Sequence, residues 1–153
     1  MAIVEDDLIT FAAETAKAGA SEVALRAAVS RAYYAAFHAL APFADQLPRS
    51  KKCPTSLQRM SHTELRERLA EWDTDGICPG LKQMTGTKGV LRRAMEVAYT
   101  ARVVADYRIG NEMPLAEAQT QVARVKQILR AAQAIQAEID RTKAPPSATN
   151  AVP

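Results

Sequence analysis

Ser30-Arg31-Ala32-Tyr33-Tyr34-Ala35-Ala36-Phe37-His38-Ala39-Leu40 is the middle of a longer run, 21–45, with apolar residues at helical spacing on nearly every side. A helix apolar almost all round is a buried one, the centre of a bundle. Leu25, Val29, Ala36, Leu40, Phe43 and Leu47 form one face of it. The other face carries Arg31 and His38, seven residues apart. At about 100° per residue, seven steps return nearly to the start, so both side chains share a face, two turns apart, with Tyr34 between them. Ala24, Ala27, Ala28 and Ala35 flank this stripe and permit close approach of another backbone.

Outward from this helix, every regular pattern is helical. A first helix is predicted over about Glu5–Lys17, with Leu8, Phe11, Ala12, Thr15 and Ala16 inward and Asp6 and Asp7 favouring its N-terminal dipole. Gly19 ends it and Ser21 caps the central helix. Residues 48–56 read as a loop; its Arg49, Lys51 and Lys52 suit either phosphate contact or simple solvation. A short third helix starts near Ser56 or Ser61, where Ser61-His62-Thr63-Glu64 fits a capping box and Leu65, Leu69 and Trp72 point inward. The glycine-containing stretch 73–89 reads as a loop, and its Thr-Gly-Thr-Lys-Gly run lacks the phosphate-loop pattern.

A fourth helix is expected over about Val90–Ile109, with Leu91, Met95, Ala98, Arg102, Asp106 and Ile109 on one stripe. Arg102 and Asp106 are four apart and can pair. The last helix runs from Pro114 to about Thr142 on a seam of Ala118, Val122, Val125, Leu129, Ala132 and Ile139, widened by Ile128 and Ile135. The expectation is an all-α, up-and-down bundle of four main helices plus a short one over residues 1–142, followed by a disordered tail, 143–153. No strand pattern or internal repeat is present.

The bulk numbers agree. A chain of 153 residues suffices for one core. A net charge of +3 suits either an anionic partner or an ordinary solvated surface. Cys53 and Cys78 each precede a proline, and no metal-ligand spacing or cofactor signature appears, so free thiols and no cofactor are expected. Acidic residues near Met1, where a secretion signal is basic, and the lack of a membrane-length apolar run point to a cytoplasmic protein.

Ser30–Leu40 resembles the second helix of HEPN-family proteins (higher eukaryotes and prokaryotes nucleotide-binding), many of which carry R-A-Y-Y-A-x-x-H there. Ser61-His62 followed by Leu65 and Leu69 resembles the family's short Thr/Ser-His helix. Arg102-Val103-Val104-Ala105-Asp106-Tyr107 is similar to its R-x-x-A-D-Y. The resemblance spans about Ser21–Tyr107 and implies an HEPN-like bundle. It also implies a homodimer that binds RNA or a nucleotide, with a cognate antitoxin or small nucleotidyltransferase as a further partner.

Catalytic members carry R-x(4–6)-H and cut RNA without a metal. The resemblance therefore implies a toxin or defence endoribonuclease in which Arg31 and His38, with His62 as a second acid or base, are catalytic. Tyr34, Arg102, Asp106 and Tyr107 would then bind substrate. Histidine can move the proton of a ribose 2′-hydroxyl, and arginine can hold the phosphate. Two departures stand: the residue after the arginine, commonly polar, is Ala32, and the motif is on the second helix rather than a late one. The alternatives stay open: Arg31 as a helix-end or Asp106 partner and His38 bonded to a backbone carbonyl or Tyr107, in a non-catalytic nucleotide- or protein-binding module or a structural dimerisation bundle. For His62 the second reading is a solvent-facing cap residue, and for the tyrosines it is helix packing.

Overall fold

The computed structural model describes residues 4–52 and 60–143. Among these described residues run six helices: α1 (Glu5–Thr15), α2 (Glu22–Ala44), α3 (His62–Glu71), α4 (Pro79–Gln83), α5 (Thr85–Tyr107) and α6 (Leu115–Lys143). No strand occurs among the described residues. Cys53 and residues 144–153 of the predicted tail lie outside them, whereas Lys143, assigned to that tail, is the last residue of α6.

The central helix is central in fact: α2 packs against α1, α3, α5 and α6. Its predicted apolar face is buried, Leu25, Val29, Ala36, Leu40 and Phe43 with Leu47 just beyond. Ala28, Ala32 and Ala35 are wholly buried too, so the small side chains serve close packing inside the chain. Ser21 caps the helix as expected, its Oγ accepting the Ala24 N–H at 3.3 Å. Pro42 is tolerated inside the last turn.

Two arginines tie helix ends to neighbouring elements. Arg68 of α3 is buried and donates Nη1 to the carbonyls of Ala44 (2.9 Å) and Leu47 (3.1 Å), satisfying acceptors at the end of α2. Its Nε donates to Glu64 at 2.6 Å. At the other end of α2, Arg26 Nη1 donates to the carbonyls of Val104 (3.1 Å), Ala105 (3.0 Å) and Arg108 (3.3 Å). Its Nη2 donates to Ile109 (3.4 Å) and to the Asn111 carbonyl. Glu22 pairs with Arg26 Nε at 2.8 Å and accepts the Met113 N–H at 2.9 Å. The start of α2 thus fixes the α5–α6 corner, which sets how α5 lies beside α2.

Several boundaries and faces differ from expectation. α1 ends at Thr15 rather than Lys17, and it buries Ile9 while Phe11 stays 49% exposed. The supposed loop 73–89 contains α4 and the first turn of α5, which starts at Thr85 rather than Val90. Ile109 lies beyond the end of α5 and is exposed, not on its inward stripe. α3 ends on Trp72, whose backbone is left-handed (φ 51°). Its indole is buried edge-on to Phe43 at 5.3 Å, with Nε1 donating to the Leu81 carbonyl at 3.3 Å. That bond holds α4 against the end of α3. Gly80 in α4 leaves room for Glu138 of α6: a Cβ there would lie 1.6 Å from Glu138 Oε1.

Candidate functional site

In the middle of α2, among buried alanines and aromatics, Arg31 and His38 are both exposed. With Tyr34, half-buried between them, they line a cleft of about 590 Å³ completed by Val4, Glu5 and Leu8 at the start of α1. Among the described residues Arg31 has no hydrogen-bond or ion-pair partner. The His38 ring stacks on Tyr34 (centroids 6.4 Å apart, 28° between planes) and meets Phe37 edge-on at 5.5 Å. The imidazole is braced on one side by aromatic rings and open on the other. Such a site can take an anionic group between a guanidinium and an imidazole.

Tyr34 also joins this cleft to α5. Its hydroxyl accepts the Arg102 Nη2–H at 2.9 Å. Arg102 is buried, and its Nε lies 2.7 Å from Asp106 Oδ2, an ion pair without hydrogen-bond alignment. Its guanidinium also sits over the Tyr107 ring, 5.3 Å from the centroid, and Tyr107 is 68% exposed. Arg102, Asp106 and Tyr107 therefore form one cluster behind Tyr34, and the Arg102–Asp106 pair is the one their spacing of four predicts. Asp106 pairs with Arg102 and not with Arg31, the alternative left open by the sequence.

His62 is placed differently from Arg31 and His38. It opens α3, whose N-cap Ser61 accepts the Glu64 N–H at 3.0 Å. The imidazole is half-buried, turned toward α2, and does not line the Arg31–His38 cleft. It packs on Phe37 (4.7 Å), Tyr34 (5.9 Å) and Tyr99 (6.2 Å), between centroids. Its Nδ1 is 2.9 Å from the Tyr33 hydroxyl. Burial, then Arg102, Arg66 and His38, holds the imidazole below its ordinary pKa. Burial of Tyr33 drives its phenol far above the usual range, with Arg66 and Arg102 pulling the other way. At neutral pH the phenol keeps its proton and His62 is neutral, so the two share one hydrogen bond whose direction follows the imidazole tautomer. Consecutive residues on a helix diverge by about 100°, so the Tyr33 hydroxyl meets His62 of α3 while the Tyr34 hydroxyl meets Arg102 of α5.

The partner that sequence reasoning missed is thus Tyr33, together with Arg66, which lies over the Tyr99 ring at 4.1 Å. The only available signal was the doubled tyrosine. Among the described residues, no group of three or more His, Cys, Asp or Glu is placed to hold a metal ion. No described helix is long and apolar enough to cross a membrane. Comparison with models of known families, with curated proteins and with solved structures gave no match.

Proposed function

We propose that the protein is an HEPN-like helical domain that binds RNA at the Arg31–Tyr34–His38 cleft and cleaves it without a metal. The reading is carried by one observation: Arg31 and His38 are both exposed and line the same open cleft, where the guanidinium has no partner among the described residues. A structural arginine would be engaged in the way Arg26 and Arg68 are.

The chemistry follows from those two groups. Arg31 holds the non-bridging oxygens of a phosphodiester. His38 removes the proton of the adjacent 2′-hydroxyl as that oxygen attacks phosphorus. The bond to the 5′-oxygen breaks, giving a 2′,3′-cyclic phosphate, and the leaving oxygen takes a proton from a second acid. Tyr33 occupies His62 Nδ1, so a chain offers one unengaged histidine, and a homodimer would bring a second. Ala32 is wholly buried, which explains why a polar residue does not follow the arginine here: it would face the core without a partner.

The same count favours a second reading, a nucleotide- or RNA-binding module that does not cleave, paired with an antitoxin or a small nucleotidyltransferase. Purified protein incubated with mixed RNAs in chelator separates the two, beside Arg31→Ala and His38→Ala variants. Cyclic-phosphate products that vanish in both variants support cleavage. Intact RNA with Arg31-dependent binding supports the module, and intact RNA without binding refutes both.

A further inference from the structure

A second feature on the α3–α5 side has the chemistry of a nucleic-acid surface. Lys52 from the loop after α2, Arg66 from α3, and Arg92 and Arg93 from α5 line one groove of about 360 Å³. Two carboxylates share it. Glu67 is held by Lys52 at 3.0 Å and Glu96 by Arg66 at 3.3 Å. Four cations against two carboxylates leave a surplus of two positive charges. Arg92 and Arg93 are the surplus: both are exposed, and among the described residues neither has a hydrogen-bond or ion-pair partner. Arg66 Nε is buried without a hydrogen-bond acceptor.

The groove also has a direction. Arg66 stands one helical turn beyond His62 on α3, and its guanidinium covers Tyr99, which stands two turns beyond Arg92 on α5. His62 packs on both Tyr99 and Tyr34, and Tyr34 lines the Arg31–His38 cleft. A path of cations and rings therefore leads from the groove to that cleft. Unpartnered guanidinium groups in a concave groove suit phosphate oxygens, which they can engage two at a time. Cations drawn from three separate segments suit an extended polyanion better than a single small anion.

We propose that the groove between α3 and α5 is a second contact surface for single-stranded RNA, with Arg92 and Arg93 gripping backbone phosphates away from the Arg31–His38 cleft. This deepens the RNA reading and rests on it for the choice of polyanion. The probe is a fluorescent 12-nucleotide uridine oligomer with 2′-O-methyl riboses, which lacks the attacking hydroxyl and so reports binding alone. Its affinity for the full chain, followed by anisotropy across a salt series, should fall with salt. In an Arg92→Ala/Arg93→Ala variant the log–log salt slope should shrink by about 1.4, since each single-strand phosphate contact contributes about 0.7. Arg92→Lys/Arg93→Lys should restore most of that slope. Both side chains are exposed, so the melting temperature should not move. Unchanged affinity and slope in the alanine variant, or no binding by the unaltered protein, overturns the groove. Cleavage assays are read separately: uncleaved natural RNA with the slope change intact defeats the cleavage reading and leaves the groove standing.

Discussion

Replacing Arg26 with methionine should destabilise the protein without disturbing its core. The methionine keeps the apolar stem of a side chain that is 11% exposed. What disappears is the guanidinium that serves the end of α5. A hydrogen bond from a charged donor contributes about 1.5–3 kcal/mol when well formed and less when one N–H is shared. Nη1 is shared among Val104, Ala105 and Arg108. The carbonyls of Arg108 and Ile109 bond at exposed positions, where water can replace the arginine, whereas those of Val104 and Ala105 are part-buried. Two bonds at the lower end of the range give a loss of about 2–4 kcal/mol. In a domain of this size each kcal/mol moves the melting temperature by about 2–4 °C, so a fall of about 5–15 °C is expected. Thermal unfolding followed by far-ultraviolet circular dichroism measures it. A double-mutant cycle with Glu22→Gln then isolates the ion pair from the carbonyl bonds. A fall under about 2 °C would refute the idea that this corner is held by Arg26.

Other outcomes follow from the same contacts. Asp106→Asn removes the charge facing Arg102, but the Asp106 side chain is 26% exposed. The cost should be about 1–2 kcal/mol, below the 3–5 typical of deep burial, and an unchanged denaturant midpoint would place the pair outside the stability of the fold. The folded protein holds His62 below its ordinary pKa of 6.5, chiefly through burial. The unfolded chain then binds more protons below that value. Stability is therefore retained above about pH 6.5 and lost as pH falls toward the folded-state pKa. The drop in melting temperature from pH 7 to pH 5 should be smaller in His62→Gln; equal drops would show that His62 does not contribute. Gly80→Ala must displace the Glu138 carboxylate, so its helix-propensity gain of about 1 kcal/mol should be largely cancelled, whereas the same change in a Glu138→Ala chain should show that gain on urea titration; equal effects in the two backgrounds would refute the contact.

The helical class and the central helix could be read from the sequence because both rest on local periodicity. The seams along 21–45 and 114–142 repeat at 3.6 residues, and Arg102 and Asp106 meet at a spacing of four, which any helix would bring together. Where one helix gave little pattern, the face was misjudged: α1 is short, its inward stripe runs through Ile9, Ala12 and Ala16, and Phe11, about 200° from Ile9 around the axis, faces out. The start of α5 was hidden because Gly86 and Gly89 lower helix propensity, and neither has a side-chain neighbour to announce a packed position. The long-range contacts were beyond any local pattern. Arg26 reaches carbonyls some 80 residues away, and Tyr33 meets His62 across two helices. Of the site, the cleft formed by Arg31, Tyr34 and His38 was legible as a helix face. The withdrawal of His62 behind Tyr33 was not, since it depends on how α3 docks.

Trp72 is the only tryptophan in the sequence, and it sits where the end of α3, Phe43 of α2 and the Leu81 carbonyl of α4 converge. The protein therefore contains its own optical reporter for one corner. A buried indole emits at shorter wavelength than a hydrated one, so any opening of the α3–α4 corner registers as a red shift, even while total helix content holds steady. Emission and circular dichroism recorded on one sample would then show whether this corner melts with the rest of the chain or ahead of it.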